Sequence, residues 1–234
     1  MRACAVVCTY GRESLCELLA MVDRQTLQLP TLVYVDDQRG LRIRDQPKSV
    51  HVVNSSAKLV FGAVRRASIE WARELFELDD DSGIVVLDDD DFYCSRHFEL
   101  TTKALAAAPG GWTGGLAMGV TFDGSEPEYV RGESGIGQHA TWAYLLGRYL
   151  RGGGYTELPK NEDLGLSYGL GWKTCTPHWY CTHVRRQSRH SISGEVDFDR
   201  VALRANPLVP VVSEARPRWS AECEQLEAWC MSRL

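Results

Sequence analysis

Apolar and polar positions in the first half of the chain follow two alternating rhythms. Ala3–Thr9 is a compact apolar run of strand length, and Thr31–Val35, His51–Val53 and Ile84–Leu87 repeat that pattern. Between these runs, Arg12–Val22 sets Leu15, Leu18, Leu19 and Val22 at helical spacing. Gly62–Leu78 does the same with Val64, Ser68, Trp71 and Leu75, and its opposite side carries Arg66 and Glu70 as an i,i+4 pair. Pro30 introduces the second strand and Ser82-Gly83 the fourth. Strand–helix alternation of this kind predicts an α/β fold with a mostly parallel sheet flanked by helices.

The order then loosens. Ser95–Ala107 reads as a helix stopped by Pro109-Gly110-Gly111, and Trp112–Phe122 as Gly-rich extended chain. Gln138–Leu150 reads as a helix ending at Gly152-Gly153-Gly154, and Asn161–Gly169 as a short helix capped by Asn161. Lys173–Val184 reads as extended, residues 185–218 as irregular, and Ala221–Met231 as a closing helix. The expectation is one domain over residues 1–234, with a regular half, 1–110, and a loop-rich half, 111–234.

Composition narrows the class. A chain of 234 residues can bury a substantial core, and 44% hydrophobic with 24% charged residues is ordinary for a soluble globular protein. The net charge of −5 argues against a surface devoted to nucleic acid, though it leaves room for a local basic groove. No apolar run approaches the roughly 20 residues of a membrane span. Met1–Cys8 is too short and too quickly polar for a signal peptide, which points to the cytoplasm. The eight cysteines lie in strand-like and helix-like segments, without a CxxC pair, and are expected to be reduced and mostly buried.

The strongest chemical signal is Ile84-Val85-Val86-Leu87 emptying into Asp88-Asp89-Asp90-Asp91. An apolar strand followed by carboxylates places them where open parallel sheets put their ligands. Adjacent carboxylates repel one another, and a divalent cation such as Mg²⁺ or Mn²⁺ relieves that conflict and can clamp a diphosphate. The competing reading is a solvated acidic turn. Asp79-Asp80-Asp81-Ser82-Gly83 fails the EF-hand pattern, because Gly83 falls one position early, and reads as an exposed turn. Asp36-Asp37 closes the second strand, where a carboxylate can accept hydrogen bonds from a nucleoside or merely end the strand.

Several segments, in order, resemble the GT-A fold glycosyltransferases, nearest the large family two class of inverting enzymes. They are Val6-Val7-Cys8-Thr9-Tyr10-Gly11-Arg12, Arg24-Gln25-Thr26, Leu32–Asp37, Asn54, Gly62–Ala67, the DxD-like Val86–Asp91, Asn161–Leu166, and Gly171-Trp172-Lys173. Together they span roughly residues 3–175. The resemblance implies a Rossmann-type GT-A sheet with a nucleotide-sugar half followed by an acceptor half. It implies a nucleotide-sugar donor, with UDP the default, and Mn²⁺ or Mg²⁺ as cofactor.

It also implies roles. Thr9, Tyr10, Arg12, Asp37, Arg65, Asp88 and Asp89 would line the donor site, with Asp89 a second candidate beside Asp90 for the metal. His183 would complete the metal site, in competition with His178 and His190. Asp163 would be the general base for the acceptor hydroxyl, where helix-dipole stabilisation is the plainer reading of the Glu162-Asp163 pair. Glu162 and Trp142 would meet the acceptor. Arg185 and Arg189, in a basic segment with Arg186 and His190, would cover the diphosphate; a solvated basic loop is the plainer reading. The Gln-x-x-Arg-Trp signature of the processive synthases is absent, with Gln187-Ser188-Arg189-His190 a partial echo. Two other readings stand: a nucleotidyltransferase, disfavoured by the single glycine in Thr9–Arg12, and a non-catalytic nucleotide-sugar-binding domain. The acceptor is a hydroxyl compound of open identity: a metabolite, a glycan, a lipid-linked sugar, a protein or a hydroxylated DNA base, the last not favoured by the net charge.

Overall fold

The computed structural model describes residues 1–11, 14–36, 43, 46–55, 58–122, 128–131, 138–158, 162–187, 225, 227–229, 231 and 232. Ala3–Thr9 forms β1, Ser14–Asp23 α1, Thr31–Val35 β2, Val50–Asn54 β3, Phe61–Leu75 α2 and Gly83–Asp88 β4. The four strands lie parallel in the order β3-β2-β1-β4. Every residue of β1 and β2 is buried, as a sheet covered on both faces requires.

Alternation along the strands divides them between two cores. Ala5, Val7, Val33, Val35, Val85 and Leu87 pack with Leu15, Leu18 and Val22 of α1. Cys4, Val6, Leu32, Ile84 and Val86 pack with Ile69 and Ala72 of α2. Each fully buried aliphatic side chain here stabilises by roughly 1.5–3 kcal/mol. The α1 crossover leads from β1 to β2, whereas the α2 crossover leads from β3 to the far side of β1. The strand order therefore reverses between β1 and β4, and at such a point a crevice opens at the carboxyl ends of the strands.

The chain continues through Phe92–Tyr93 (β5), His97–Ala106 (α3), Trp112–Thr113 (β6), Ala117–Phe122 (β7), Glu128–Arg131 (β8), Ala143–Leu145 (β9), Leu146–Arg151 (α4), Glu162–Leu170 (α5) and His183–Gln187 (β10). Strand β9 joins β4 antiparallel and β6 joins β9 antiparallel, completing a six-stranded, mostly parallel sheet flanked by helices. A second sheet has the order β5-β10-β7-β8, with only β10 and β7 parallel. The C-terminal residues return to it. Trp229 and Met231 pack on Cys94 and Val184, and the Ser95 amide donates to Glu227 at 3.0 Å. Helices α4 and α5 touch backbone to backbone through Gly152 and Gly169, where any side chain would collide. Among the described residues, no helix is long and apolar enough to cross a membrane.

Three expectations need correcting. The apolar stretch 138–150 is not one helix: it is a 3-10 turn at His139–Thr141, then β9, then α4. A short apolar run has no period that separates helix from strand, and here the open edge of β4 recruits Ala143–Leu145 as a neighbour. The inward face of α2 carries Val64, Arg65, Ser68, Ile69 and Ala72, while Trp71 and Leu75 are 46% and 43% exposed. Arg66 turns to the Tyr155 carbonyl at 2.6 Å and to Glu157 at 3.2 Å instead of Glu70. Residues 173–187 are extended only in part, because Trp172–Thr174 makes a 3-10 turn, and the segment thought irregular begins inside β10. The described parts of the terminal helix are residues 225, 227–229 and 231; Asn161, Cys223, Cys230 and residues 188–224 lie outside the described residues. Cys4, Cys8 and Cys94 are buried thiols.

Candidate functional site

The crevice is built from the ends of β1 and β4, which run in register with Cys8 opposite Asp88. Just beyond, the Thr9 hydroxyl donates to Asp89 Oδ2 at 2.5 Å and accepts the Gly11 amide at 2.9 Å. Gly11 has φ +79°, a conformation that favours glycine, and this turns the chain back so that its amide can reach Thr9. The Asp36 amide bonds the Thr9 carbonyl at 2.9 Å, so the ends of β1 and β2 meet at the same place. The Tyr10 ring stacks on Phe61, at the first turn of α2, with centroids 6.0 Å apart.

One turn into α2, Arg65 crosses the crevice. It is buried between two carboxylates: its Nη2 donates to Asp88 Oδ1 at 3.0 Å and its Nε to Glu162 Oε1 at 3.1 Å. Its guanidinium carbon lies 4.6 Å from the Phe61 ring centre. Burial opposes ionisation of Asp88, but the charge of Arg65 prevails and holds the carboxyl below its ordinary value. For Glu162, burial prevails over Arg65 and pushes the carboxyl up. One guanidinium thus joins α2, the end of β4 and the start of α5.

His139 sits on the other side of Asp88, with Nδ1 4.0 Å from Oδ1. Its Nε2 lies 2.8 Å from the Tyr155 hydroxyl. Burial, with the Arg65 charge adding, pushes the His139 imidazole down to about 3. At the far end of the acidic run, Asp91 Oδ2 lies 2.7 Å from His183 Nε2, and both side chains are buried. Strand β10 brings this about by pairing His183 with Tyr93 across β5. The Tyr93 hydroxyl closes the acidic turn by accepting the Asp88 amide at 2.8 Å. Asp90 is partly exposed on the turn between.

The residues singled out from the sequence fall into groups. Arg65, Asp88 and Glu162 share one network, the Thr9–Asp89 pair lies beside it in the chain at Asp89, and Tyr10 adjoins the network through Phe61, which lies under Arg65. Asp90 and His183 lie at the acidic turn and against its last residue. Asp163 is partly exposed in the first turn of α5, with Oδ1 accepting the Leu164 amide at 2.9 Å. Arg185 on β10 reaches the Gln138 side chain at 3.4 Å. Trp142 is 2% exposed, packed edge-on against Trp112 and His139, so its ring offers no face to an acceptor. Its place is in the core. His178 is 6% exposed, and among the described residues neither ring nitrogen has a hydrogen-bond partner. Arg12, Asp37, Arg189 and His190 lie outside the described residues.

Sequence reasoning missed His139, Tyr155 and Phe61. His139 and Tyr155 sit in segments without local motif, and only the pairing of β9 with β4 carries them to the crevice. Phe61 had a signal, being the aromatic residue just before the Gly62–Ala67 segment.

Among the described residues, no three His, Cys, Asp or Glu side chains converge as a metal cage. Mg²⁺ and its relatives commonly use one or two carboxylates together with substrate phosphates. Asp90 on the turn, and His183, whose buried Nδ1 has no hydrogen-bond partner among the described residues, are donors that fit such an arrangement.

No protein-family model and no curated protein matches the sequence. Solved structures do match. Residues 1–349 of S. aureus TarS, a GT-A-like glycosyltransferase, in complex with UDP-GlcNAc align at TM-score 0.61 and 13% identity, over 84% of this chain and 62% of that one. The same TarS segment with UDP aligns at TM-score 0.56 and 13% identity, over 81% and 61%. The segment alone aligns at TM-score 0.57 and 12% identity, over 80% and 60%. This chain therefore spans less than two thirds of the TarS segment. At such identity the likeness concerns the fold, and that fold is GT-A-like.

Proposed function

We propose that this chain is a metal-dependent glycosyltransferase that moves a sugar from a nucleotide diphosphosugar to a hydroxyl acceptor. The observation that carries the reading is the Arg65–Asp88–Glu162 network with Thr9–Asp89, lying at the strand-order reversal of a GT-A-like sheet. UDP-GlcNAc, the ligand of the TarS complex, is the first donor to test.

In this reading Thr9, Tyr10 and Asp89 border the nucleotide, and Arg12 and Asp37 are proposed to contribute to the same donor site. Asp88 meets the ribose or the sugar, and Arg65 keeps that carboxylate ionised and in place. Asp90 and His183 would hold Mn²⁺ or Mg²⁺, which when bound neutralises charge on the leaving diphosphate. Arg185, and Arg189 by the same proposal, would add positive charge for the diphosphate. Asp163 takes the acceptor proton as the hydroxyl oxygen attacks the anomeric carbon, giving inversion. Its partly exposed place at the head of α5 suits a group that must meet an incoming acceptor, while Glu162, buried against Arg65, supports that end of the helix. Residues 111–234 would supply the acceptor side.

The test is calorimetry of UDP-GlcNAc binding with and without Mn²⁺, on wild type and Asp90→Ala. Metal-dependent binding that Asp90→Ala abolishes is the expected result. Absence of binding for a panel of nucleotide sugars under both conditions would overturn the reading.

A further inference from the structure

The proposed function gives Asp88 a donor contact, and the role inferred for the groups around that carboxylate rests on that reading. Arg65 grips Asp88 from one side. On the other side a chain of hydroxyls ends at His139. The Tyr144 hydroxyl lies 3.4 Å from that of Tyr155, which lies 2.8 Å from His139 Nε2. All three side chains are buried, and Tyr155 and Trp142 meet the imidazole at steep angles, 67° and 66°, with centroids 5.7 and 5.0 Å away.

Such a ring has one proton to place, because burial keeps it neutral. With the proton on Nε2, the Nδ1 lone pair would face Asp88 Oδ1, itself an acceptor in its bond from Arg65, and two acceptors would oppose each other. With it on Nδ1, an N–H dipole faces the carboxylate, and Nε2 accepts from Tyr155, whose own oxygen accepts from Tyr144. Every hydroxyl then has a partner in one consistent direction. The 4.0 Å separation from Asp88 exceeds a hydrogen bond, so the attraction is electrostatic. Contacts of this kind in binding sites commonly tighten when substrate arrives.

We propose that His139 and Tyr155 are positioning residues for Asp88. The Tyr144–Tyr155 hydroxyl chain holds His139 in the Nδ1–H tautomer, and that N–H steers the Asp88 carboxylate toward the nucleotide-sugar donor. Trp142, enclosed beside the imidazole, is a wall that keeps the ring in its plane.

Two measurements test this. Nitrogen-15 NMR of histidine-labelled protein, in the absence of donor, reads the tautomer directly. Wild type is expected to show a protonated Nδ1 and a bare Nε2 for His139, and Tyr155→Phe is expected to mix the two forms. An Nε2-protonated His139 in wild type, or a pattern unchanged in Tyr155→Phe, overturns the proposal. Steady-state kinetics with UDP-GlcNAc then compares His139→Asn, whose amide N–H stands near the Nδ1 position, with His139→Gln, whose amide stands near Nε2. The glutamine variant is expected to raise the donor KM about tenfold, and the asparagine variant about threefold, with kcat falling less in both, as for loss of one charge-assisted contact. Equal losses in the two variants would reduce His139 to a packing residue and overturn the positioning role. A wild type that turns over no nucleotide sugar would sink the proposed function and the donor role with it, while the NMR result still decides the tautomer.

Discussion

Asp88 and Asp91 stand three residues apart in one acidic run and are anchored in different ways. Asp88 ends a strand of the first sheet and is gripped by an arginine that also holds Glu162. Asp91 points to the second sheet, where it meets the imidazole of His183. A guanidinium keeps its charge at any pH a protein meets and offers a rigid fork of donors, so it can bind two carboxylates in fixed directions. An imidazole contacts one carboxylate oxygen and carries charge only when protonated. The Asp88 end is therefore a charge network that ties three elements together, whereas the Asp91 end meets an imidazole carried by the second sheet. Asp90, partly exposed between these fixed points, is the member of the run placed to meet a metal in the proposed function.

The sharpest separation between roles should come from the paired acids at the head of α5. Asp163→Asn is expected to lower kcat by roughly 10²–10⁴-fold while leaving donor binding intact, because a general base acts in the chemical step. Single-turnover kinetics with calorimetry on the same variant checks both halves of that statement, and weakened donor binding would count against the role.

Next in size is the loss of the charge network. Arg65→Met strands Glu162 and Asp88 and is expected to cost about 3–5 kcal/mol. His183→Asn removes the contact with Asp91 and should cost about 1–3 kcal/mol. Urea unfolding of both variants measures the gap, and a reversed order would refute the contrast between the two ends.

The pH dependence of stability carries its own signs. His139 has a native pKa of about 3 against an ordinary 6.5, so only the unfolded chain takes up its proton between those values. Its contribution is complete above 6.5 and is lost as pH falls toward 3, at about 1.4 kcal/mol per pH unit. Asp88, lowered from 3.8, acts in the same sense further down: its contribution is present above 3.8 and is lost as pH falls through the native value. Glu162, raised from 4.5, acts in the opposite sense, and its contribution is lost as pH rises above 4.5. His139→Asn should flatten the stability profile between pH 3 and 6.5, and Glu162→Gln should steepen it just above 4.5. Unfolding series at fixed temperature across that range measure both slopes. The smallest effect belongs to the outer face of α2: Trp71→Ala should change stability by no more than about 0.5 kcal/mol, because Trp71 lies on the exposed side of the helix, outside the buried clusters.

How much of this could be read from the chain depends on how local the cause is. The residues Ala3–Thr9, Thr31–Val35 and Ile84–Leu87 are apolar on both faces, so burial between helices was their only stable arrangement, and the acidic run had to emerge at a strand end. Thr9, Asp88 and Asp89 were therefore within reach of sequence reasoning. Arg65, Asp88 and Glu162 were each found through motifs, but their pairing was not, because nothing local says which way a buried arginine points. The run around Trp142–Leu146 was misread as helix because its apolar residues fit either period.

The amino-acid sequence by itself determined the parallel strands, their two covered faces and the place where carboxylates leave the sheet, since each follows from short-range patterning and the burial of apolar surface. Only the tertiary structure decided that β9 fills the open edge of β4 and carries His139 to Asp88, that β10 brings His183 to Asp91 across 92 residues, and that Arg65 spans Asp88 and Glu162. Those contacts join residues far apart in the chain. Their geometry is set by how strands compete for edges and how buried charges find partners, and both become defined when the sheets assemble.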